Sequence, residues 1–156
     1  MEHHEYRRNG FRISTDKQLL DIGVIFRYLS EDAYWSKDIP RDIVERSIGH
    51  SLCFGVYQET EQVGFARVVT DKATFAYLAD VFILEEYRKQ GLSKWLMEVI
   101  FAHPDLQGLR RWLLATMDAH GLYRQFGFTS LTEPDRMMQR KAPHTYSELK
   151  KLAAGE

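Results

Sequence analysis

The chain turns from a buried strand directly into an amphipathic helix, and this junction constrains its fold more than any other segment. Residues 74–84 are a long apolar and aromatic run that predicts a central strand. After residue 91, apolar side chains recur at the three- and four-residue intervals of one helical face. They are Leu92, Trp95, Leu96, Val99 and Ile100. The loop of residues 85–93 must therefore join a strand end to a helix start.

This loop has the features of an anion site. The first amides of a helix lack acceptors and lie at the positive end of its dipole. Gly91 permits close approach to the backbone, and Arg88 and Lys89 add positive charge. An ordinary glycine turn is the alternative. There is no Gly-Lys-Ser/Thr ending and no three-glycine dinucleotide pattern, which argues against a nucleotide hydrolase or a Rossmann enzyme.

Size and composition predict a single soluble globular domain. The 156 residues are 44% hydrophobic and 28% charged. We expect one domain over residues 1–156, with a core at about 11–140 and a C-terminal helix at about 145–154. A net charge of -1 gives no general attraction for nucleic acid or an anionic membrane. No segment is typical of a membrane helix or a signal peptide, so we expect a cytoplasmic protein.

Cysteine and histidine usage predicts no disulfide and no metal site. Cys53 is the sole cysteine and lies in an apolar run, which is typical of a small core residue. The histidines outside the candidate site show no metal-ligand spacing with one another or with Cys53. They are His3, His4, His50, His103 and His144.

The remaining elements follow from periodicity and turn residues. Before the junction we predict a strand at 11–15, helices at 16–29 and 40–49, and a hairpin of strands at 51–58 and 63–70. After it we predict strands at 111–117, 128–131 and 137–140, a helix at 119–126 ending at Gly127, and a terminal helix at 146–154. The order β-α-α-β-β-β-α-β-α-β predicts an α+β (mixed α/β) fold. It should have one central, mostly antiparallel mixed sheet of six or seven strands, flanked by about four helices.

Two motifs in this element order are typical of one family. The first is Arg or Gln, two free positions, Gly, one free position, then Gly or Ala, and here it reads Arg88-Lys89-Gln90-Gly91-Leu92-Ser93. Ser93 departs from the pattern but is small. The second is a helix with Leu-Tyr followed by Gly-Phe, present as Leu122-Tyr123-Arg124-Gln125-Phe126-Gly127-Phe128. From about Phe11 to Arg140 the chain resembles the GNAT superfamily of N-acetyltransferases.

The resemblance implies that acetyl-CoA is the co-substrate and that no metal is needed. Its pyrophosphate is expected on the amides of the loop and the first helical turn. These residues are Arg88, Lys89, Gln90, Gly91, Leu92, Ser93 and Lys94. The preceding strand is expected to splay from its neighbour and to place Val81, Phe82 and Ile83 along the pantetheine arm and thioester. Asp118 stands where many relatives have an Asn that touches pantetheine; capping the next helix is its alternative role.

The resemblance also implies catalytic groups. Tyr123 is the candidate general acid that protonates the departing thiolate. Asp80 is our first choice as the base that removes a proton from the acceptor amine, because a carboxylate on an apolar strand must be paired or functional. A structural hydrogen bond to a neighbouring loop is an equal alternative for Asp80. His120 or a water chain could also serve as the base.

The acceptor is expected beside the segment of residues 28–37. It joins aromatic rings, which offer stacking and cation-π contact, to carboxylates that attract an ammonium group. The candidate acceptor-binding residues are Tyr28, Glu31, Asp32, Tyr34 and Trp35. In the alternative interpretation one of the rings of Tyr34 and Trp35 packs into the core.

Three functions fit these patterns. The leading hypothesis is acetyl transfer to a small-molecule primary amine, with no membrane or nucleic-acid partner. Transfer to a protein terminus or to charged transfer RNA is the second, and a non-catalytic acyl-CoA-binding or sensing domain is the third. A homodimer stays open.

Overall fold

A six-stranded mixed sheet organises the computed structural model, which describes residues 2–155. The strands are β1 (Glu5–Arg8), β2 (Phe11–Ser14), β3 (Leu52–Gln58), β4 (Glu61–Thr70), β5 (Phe75–Ile83) and β6 (Arg111–Leu113). The α-helices are α1 (Ile22–Arg27), α2 (Arg41–Gly49), α3 (Leu92–Ala102), α4 (His120–Arg124) and α5 (Tyr146–Ala153). This architecture confirms the predicted α+β class with a single mixed sheet.

The strands lie in the sheet in chain order. Each of the first five pairs antiparallel with the next, while β6 pairs parallel with β5 through the α3 crossover. Alternation along β3 gives the two faces of the sheet separate cores. Phe54 and Val56 pack on the side of α3, whereas Cys53 packs on the side of α1 and α2. Cys53 is buried, as its apolar surroundings predicted.

A β-bulge in β5 changes which side chains face each core. Arg67 pairs with Ala79 and Phe65 pairs with Phe82, so Asp80 and Val81 together lie opposite one residue of β4. Asp80 has a left-handed φ of 53°, a conformation that Asp tolerates better than most residues. An inserted residue inverts the alternation beyond it. Phe82 therefore joins the α1/α2 core, and the carboxylate of Asp80 is kept out of the α3 core.

The structure corrects the prediction at the N-terminus. Residues 5–8 form β1, which the sequence analysis did not predict; Asn9 and Gly10, with φ of 51° and 82°, close the turn to β2. The Asn-Gly pair is typical of a hairpin turn, but the residues before it are mostly polar and so did not indicate a strand. The helix predicted at 16–29 is divided into a 3-10 turn at Lys17–Leu19, α1, and a π-helical turn at Tyr28–Asp32.

The C-terminal third departs further from the prediction. The strand predicted at 111–117 ends at Leu113, and neither 128–131 nor 137–140 forms a strand. Phe128 donates its amide to Tyr123 in α4 rather than to a neighbouring strand. Gly127, with φ of 89°, ends this helical region as expected. Within residues 2–155, no helix combines the length and the apolar character needed to span a bilayer.

We expect Asp80→Val to lower the free energy of unfolding by roughly 3–4 kcal/mol. The change leaves Arg67 without its carboxylate and forces a β-branched residue into left-handed backbone. Asp80→Asn is the matched control, since Asn tolerates this backbone and keeps one oxygen acceptor, and it should cost about half as much. Urea denaturation measures both values. Equal losses would show that the bulge does not require this residue.

Candidate active site

The strands β5 and β6 separate after a short paired stretch. Only Phe75–Tyr77 of β5 pairs with Arg111–Leu113 of β6, while β5 continues to Ile83 beside β4. Past Tyr77, the backbone of β5 therefore has no ladder partner on the side of β6. Val81 lies half-buried in this stretch, and the side chains of Phe82 and Ile83 are buried. The sheet opens here into a wedge-shaped cleft.

Backbone amides without a hydrogen-bond acceptor lie at one end of the cleft, at the start of α3. Gly91 is the N-cap of α3, with φ of 81° and no side-chain hydrogen bond to the helix end. Lys89 is also left-handed, with φ of 64°. Among the described residues, no acceptor bonds the amides of residues 89–94. A Cβ on Gly91 would meet nothing within 4 Å, so the space in front of these amides is open. The loop can therefore hold an anion on its backbone.

The guanidinium of Arg88 is hydrogen-bonded within the protein and holds this loop against β5, so only part of it remains for a ligand. Its Nε donates to the carbonyl of Ile83 at 2.9 Å, and its Nη2 donates to the hydroxyl of Tyr28 at 3.1 Å. The Tyr28 ring stacks on Phe82 with centroids 4.0 Å apart. Burial, the largest effect, raises the pKa of Tyr28 despite the nearby guanidinium. Arg88 is nevertheless exposed, and the side chains of Lys89 and Lys94 are further exposed positive charges of the loop.

Tyr123 lies in α4 with only 8% of its surface exposed. Its hydroxyl forms no hydrogen bond to any residue that the structure describes. Burial, followed by the effects of Tyr34 and Asp118, raises the pKa of Tyr123 to about 12. The phenol therefore keeps its proton at neutral pH and is available as a donor.

The Tyr34-Trp35 pair bridges the two walls of the cleft. The amide of Met117, beyond β6, donates to the hydroxyl of Tyr34 at 2.9 Å. Nε1 of Trp35 donates to Oδ1 of Asp80 in β5 at 2.9 Å. The two rings contact each other edge to face, and 50% of Tyr34 and 43% of Trp35 are exposed. The alternative in which one ring packs into the core is wrong, because both side chains are held by hydrogen bonds at the mouth.

Both carboxylate oxygens of Asp80 have donors. Oδ2 accepts from Nε of Arg67 at 2.8 Å, while Oδ1 accepts from Trp35. Nη1 of Arg67 in turn donates to Ser51 at 3.2 Å. These donors satisfy the hydrogen-bonding capacity of a carboxylate that is largely buried. The geometry thus favours the structural alternative for Asp80, a hydrogen bond to a neighbouring loop.

No described side chain caps α4. In the turn before this helix, the hydroxyl of Thr116 accepts hydrogen bonds from the amides of Asp118 and Ala119 at 3.3 and 3.1 Å. Asp118 makes no such side-chain bond, so its capping role is wrong, and its carboxylate is exposed. His120, in the first turn of α4, lines a cavity along β6. Glu31 and Asp32 are exposed and form no ion pair with the described residues.

Sequence reasoning missed three residues that build this site. Arg67 positions Asp80, Thr116 positions the turn before α4, and Met117 positions Tyr34. Of these three residues, only Arg67 stands out in the sequence, because it is an isolated charge within the apolar run of β4. Among the residues between 2 and 155, no group of three or more His, Cys, Asp or Glu could hold a metal ion.

Comparisons with known proteins agree with this geometry. Residues 49–130 match the acetyltransferase (GNAT) domain family. A structure from Xanthomonas campestris pv. campestris, provisionally assigned as a GNAT acetyltransferase, is 58% identical with a TM-score of 0.86. The match covers 88% of this chain and 96% of that one.

Two further relatives are more distant. A provisionally assigned acetyltransferase of Gibberella zeae is 34% identical over 114 residues, which are 61% of this chain and only 64% of the length of that relative. A GNAT acetyltransferase from Elizabethkingia anophelis, solved with acetyl-CoA bound, has a TM-score of 0.60 at 10% identity. That match covers 88% of this chain and 91% of the other, and it shows a shared fold.

The splayed mixed sheet and the open start of α3 are the features that the resemblance to acetyltransferases predicted. The domain match and the close Xanthomonas structure make the assignment specific. The chain belongs to the GNAT family of acetyltransferases.

We expect Tyr34→Phe to speed hydrogen exchange at the Met117 amide about fivefold or more. The change removes the only acceptor of that amide among the described residues, and a net hydrogen bond is worth about 1 kcal/mol. Hydrogen exchange followed by NMR measures the rate. Tyr77→Phe is the control, because the Tyr77 hydroxyl bonds to no described residue. An unchanged Met117 rate in Tyr34→Phe would mean that the bridge does not form in solution.

Proposed function

We propose that this protein transfers the acetyl group of acetyl-CoA to a primary amine of a small molecule by direct attack. The observation that carries the proposal is the buried phenol of Tyr123, which is close enough to Tyr34 at the mouth of the cleft for Tyr34 to add to the effect of burial in raising its pKa. The free amides of residues 89–94 alone would fit a binding domain. A proton donor near the mouth supports group transfer.

The residues present fit acetyl-CoA. The open space before Gly91 admits a diphosphate, and Lys89 and Lys94 neutralise its charge. The unpaired backbone of β5 beyond Tyr77 can bind the amides of a pantetheine arm by strand-like hydrogen bonds. Acetyl-CoA would supply the thioester carbonyl, and the β5 amides near Val81 and Phe82 would polarise it.

Tyr123 serves in this proposal as the general acid at the thioester sulfur. Its pKa of about 12 keeps the proton in place, but a thiol resembling cysteine titrates near about 8.5. The pKa of Tyr123 is thus higher than that of the thiol, so complete transfer of its proton to a free thiolate is uphill. The donor is thus most effective as a hydrogen bond that strengthens while the carbon-sulfur bond breaks.

The acceptor amine enters as an ammonium group and must lose a proton before it attacks. The exposed carboxylates of Glu31, Asp32 and Asp118 near the mouth attract the cation. Asp80 is already bonded to Arg67 and Trp35, so we propose that the proton leaves through water in the open mouth rather than to Asp80. The products balance as an acetylated amine, free CoA thiol and one released proton.

The bridged mouth supports a small acceptor. Tyr34 and Trp35 connect both walls of the cleft and leave no continuous groove across it. A peptide or an RNA end would have to displace one of these hydrogen bonds. Their exposed rings can instead stack on a small amine-bearing molecule.

An acetyl-CoA titration followed by a thiol-release assay tests the proposal. We expect stabilisation by about 2.7 kcal/mol at a hundredfold excess of acetyl-CoA over its Kd, and CoA release with small amines but not with peptides or aminoacyl-RNA.

Tyr123→Phe should lower kcat about a hundredfold with little change in acetyl-CoA affinity. The pH profile gives a second test. As pH rises, kcat/KM should rise because the acceptor amine loses its proton, and it should not fall again below about pH 10 because Tyr123, with a pKa of about 12, stays protonated there. Binding without thiol release on any amine would favour a sensor.

We expect Gly91→Val to weaken CoA binding at least about tenfold, because a side chain there fills the space before the free amides. Gly108→Val is the matched control: Gly108 has φ of 72° and open space around its Cβ position, but it lies outside the loop. Both variants should lose about 1–2 kcal/mol of stability from left-handed backbone. Calorimetric titration with CoA separates them, and similar affinities in the two variants would make Gly91 purely structural.

A further inference from the structure

Arg67 is a charged residue within the apolar strand β4. Its neighbours Ala66 and Val68 are fully buried, and its own side chain is only 18% exposed. A buried ion pair contributes little net stability, because the cost of removing both charges from water offsets their attraction. The pair with Asp80 therefore explains how the charge of Arg67 is tolerated, and it leaves room for a second role of the guanidinium.

The guanidinium has hydrogen-bond donors to spare. Nε donates to Asp80 at 2.8 Å and Nη1 donates to Ser51 at 3.2 Å, but an arginine side chain carries more N–H groups than these two bonds use. Nη2 donates to no acceptor within residues 2–155. In the same part of the chain, the fully buried side-chain atoms without a partner are Nε of Arg12 and the hydroxyl of Tyr57. Nη2 of Arg67 is therefore open to solvent.

These spare donors lie beside the mouth of the cleft. Arg67 bonds Oδ2 of Asp80 while Nε1 of Trp35 bonds Oδ1, so the guanidinium and the exposed indole converge on one carboxylate. Asp80 immediately precedes Val81, where the thioester is proposed to lie. Since β4 and β5 are neighbouring strands, about 4.8 Å apart, a group bound to Nη2 lies close to an amine that attacks at Val81.

Free N–H donors of a guanidinium select an oxygen anion, and a carboxylate fits their planar arrangement. Asp80 already neutralises the charge of Arg67, so a singly charged carboxylate fits better than a doubly charged phosphate. The exposed carboxylates of Glu31 and Asp32 on the neighbouring segment attract an ammonium group instead. The mouth thus offers opposite charges at different places, which suits a molecule that carries both an amine and a carboxylate.

We propose that the acceptor is an amino acid whose carboxylate binds Nη2 of Arg67. The inference rests on the proposed acetyl transfer and names its acceptor class. The amine then faces the thioester at Val81, and the side chain lies against the exposed rings of Tyr34 and Trp35.

The reaction balances for such an acceptor. The carbon-sulfur bond of the thioester breaks while a carbon-nitrogen bond forms. The ammonium group loses two protons in all; one ends on the CoA sulfur and the other is released to water. The products are an N-acetyl amino acid and free CoA thiol, and the carboxylate on Arg67 is unchanged.

Matched acceptors test the proposal on the wild-type protein. For several amino acids, the thiol-release assay compares the free acid with its carboxamide and with its decarboxylated amine, which carry the same side chain. We expect kcat/KM to be at least about tenfold higher for the free acid, mainly through a lower KM, because its hydrogen bonds to Arg67 are charge-assisted. The carboxylate also raises the pKa of the amine, so this preference opposes the order of amine deprotonation.

Arg67→Lys tests the residue itself. Lysine keeps a positive charge beside Asp80 but lacks the planar fork, so the ratio of kcat/KM for acid and amide should fall to within about threefold of one. Both rates are measured on one preparation, so an unfolded fraction lowers them equally and leaves the ratio unchanged. Ser51→Ala is the matched control, since it also removes a hydrogen bond of Arg67 but leaves Nη2 in place, and it should keep the preference.

The failures of the inference and of acetyl transfer give different results. Thiol release with amides or decarboxylated amines at a kcat/KM equal to that of the free acids would overturn the inference and leave acetyl transfer standing. A preference for the acid that survives Arg67→Lys, or that Ser51→Ala abolishes as well, would overturn the assignment to Nη2 of Arg67. No thiol release with any of the three acceptor classes would contradict acetyl transfer itself, and the inference with it.

Discussion

The ion pair between Arg67 and Asp80 is the interaction on which the rest of the site depends. It stabilises the bulge in β5, because Asp80 occupies left-handed backbone and its carboxylate accepts from Arg67 at 2.8 Å. Breaking a largely buried pair by removing one partner typically costs about 3–5 kcal/mol, so the bulge is firmly held. Beyond it, the inverted alternation places Phe82 under Tyr28 and leaves Asp80 free to hold Trp35. Residues 28–37 are thereby hydrogen-bonded to β5 through Trp35.

A second set of contacts joins the anion loop to the same strand. Arg88 bonds the carbonyl of Ile83 and the hydroxyl of Tyr28, so its role is to position the loop and not simply to supply charge. The proposed phosphate binding then rests on backbone amides at the start of α3, which are already oriented before a ligand binds. Positive charge from Lys89 and Lys94 would add attraction that salt screens. The cleft is held by hydrogen bonds along β5 and is more exposed at Tyr34 and Trp35.

The proposed acceptor-binding segment, residues 28–37, is held at the mouth by the hydrogen bonds of Tyr34 and Trp35, and both side chains are exposed. Such a surface can be retuned by changes in the segment between α1 and α2 without disturbing the core. The C-terminal region presents the opposite case, since it has little core of its own and a free sheet edge beside it.

Local periodicity and turn residues were enough to predict the strand-to-helix junction, the hairpin of β3 and β4, the helix α3 and the α+β class. Motif spacing pointed to Gly91 and Tyr123, whose roles belong to the proposed function. The sequence analysis missed β1 despite its Asn-Gly turn, and it predicted strands at 128–131 and 137–140 that have no partner in this structure. Strand propensity alone does not create a ladder, which needs a neighbour at the right register. The bulge at Asp80, the hydrogen bond from Arg88 to Tyr28 and the bridge from Tyr34 to Met117 could not be predicted. Each joins residues distant in sequence, whose contact exists only after the sheet has formed.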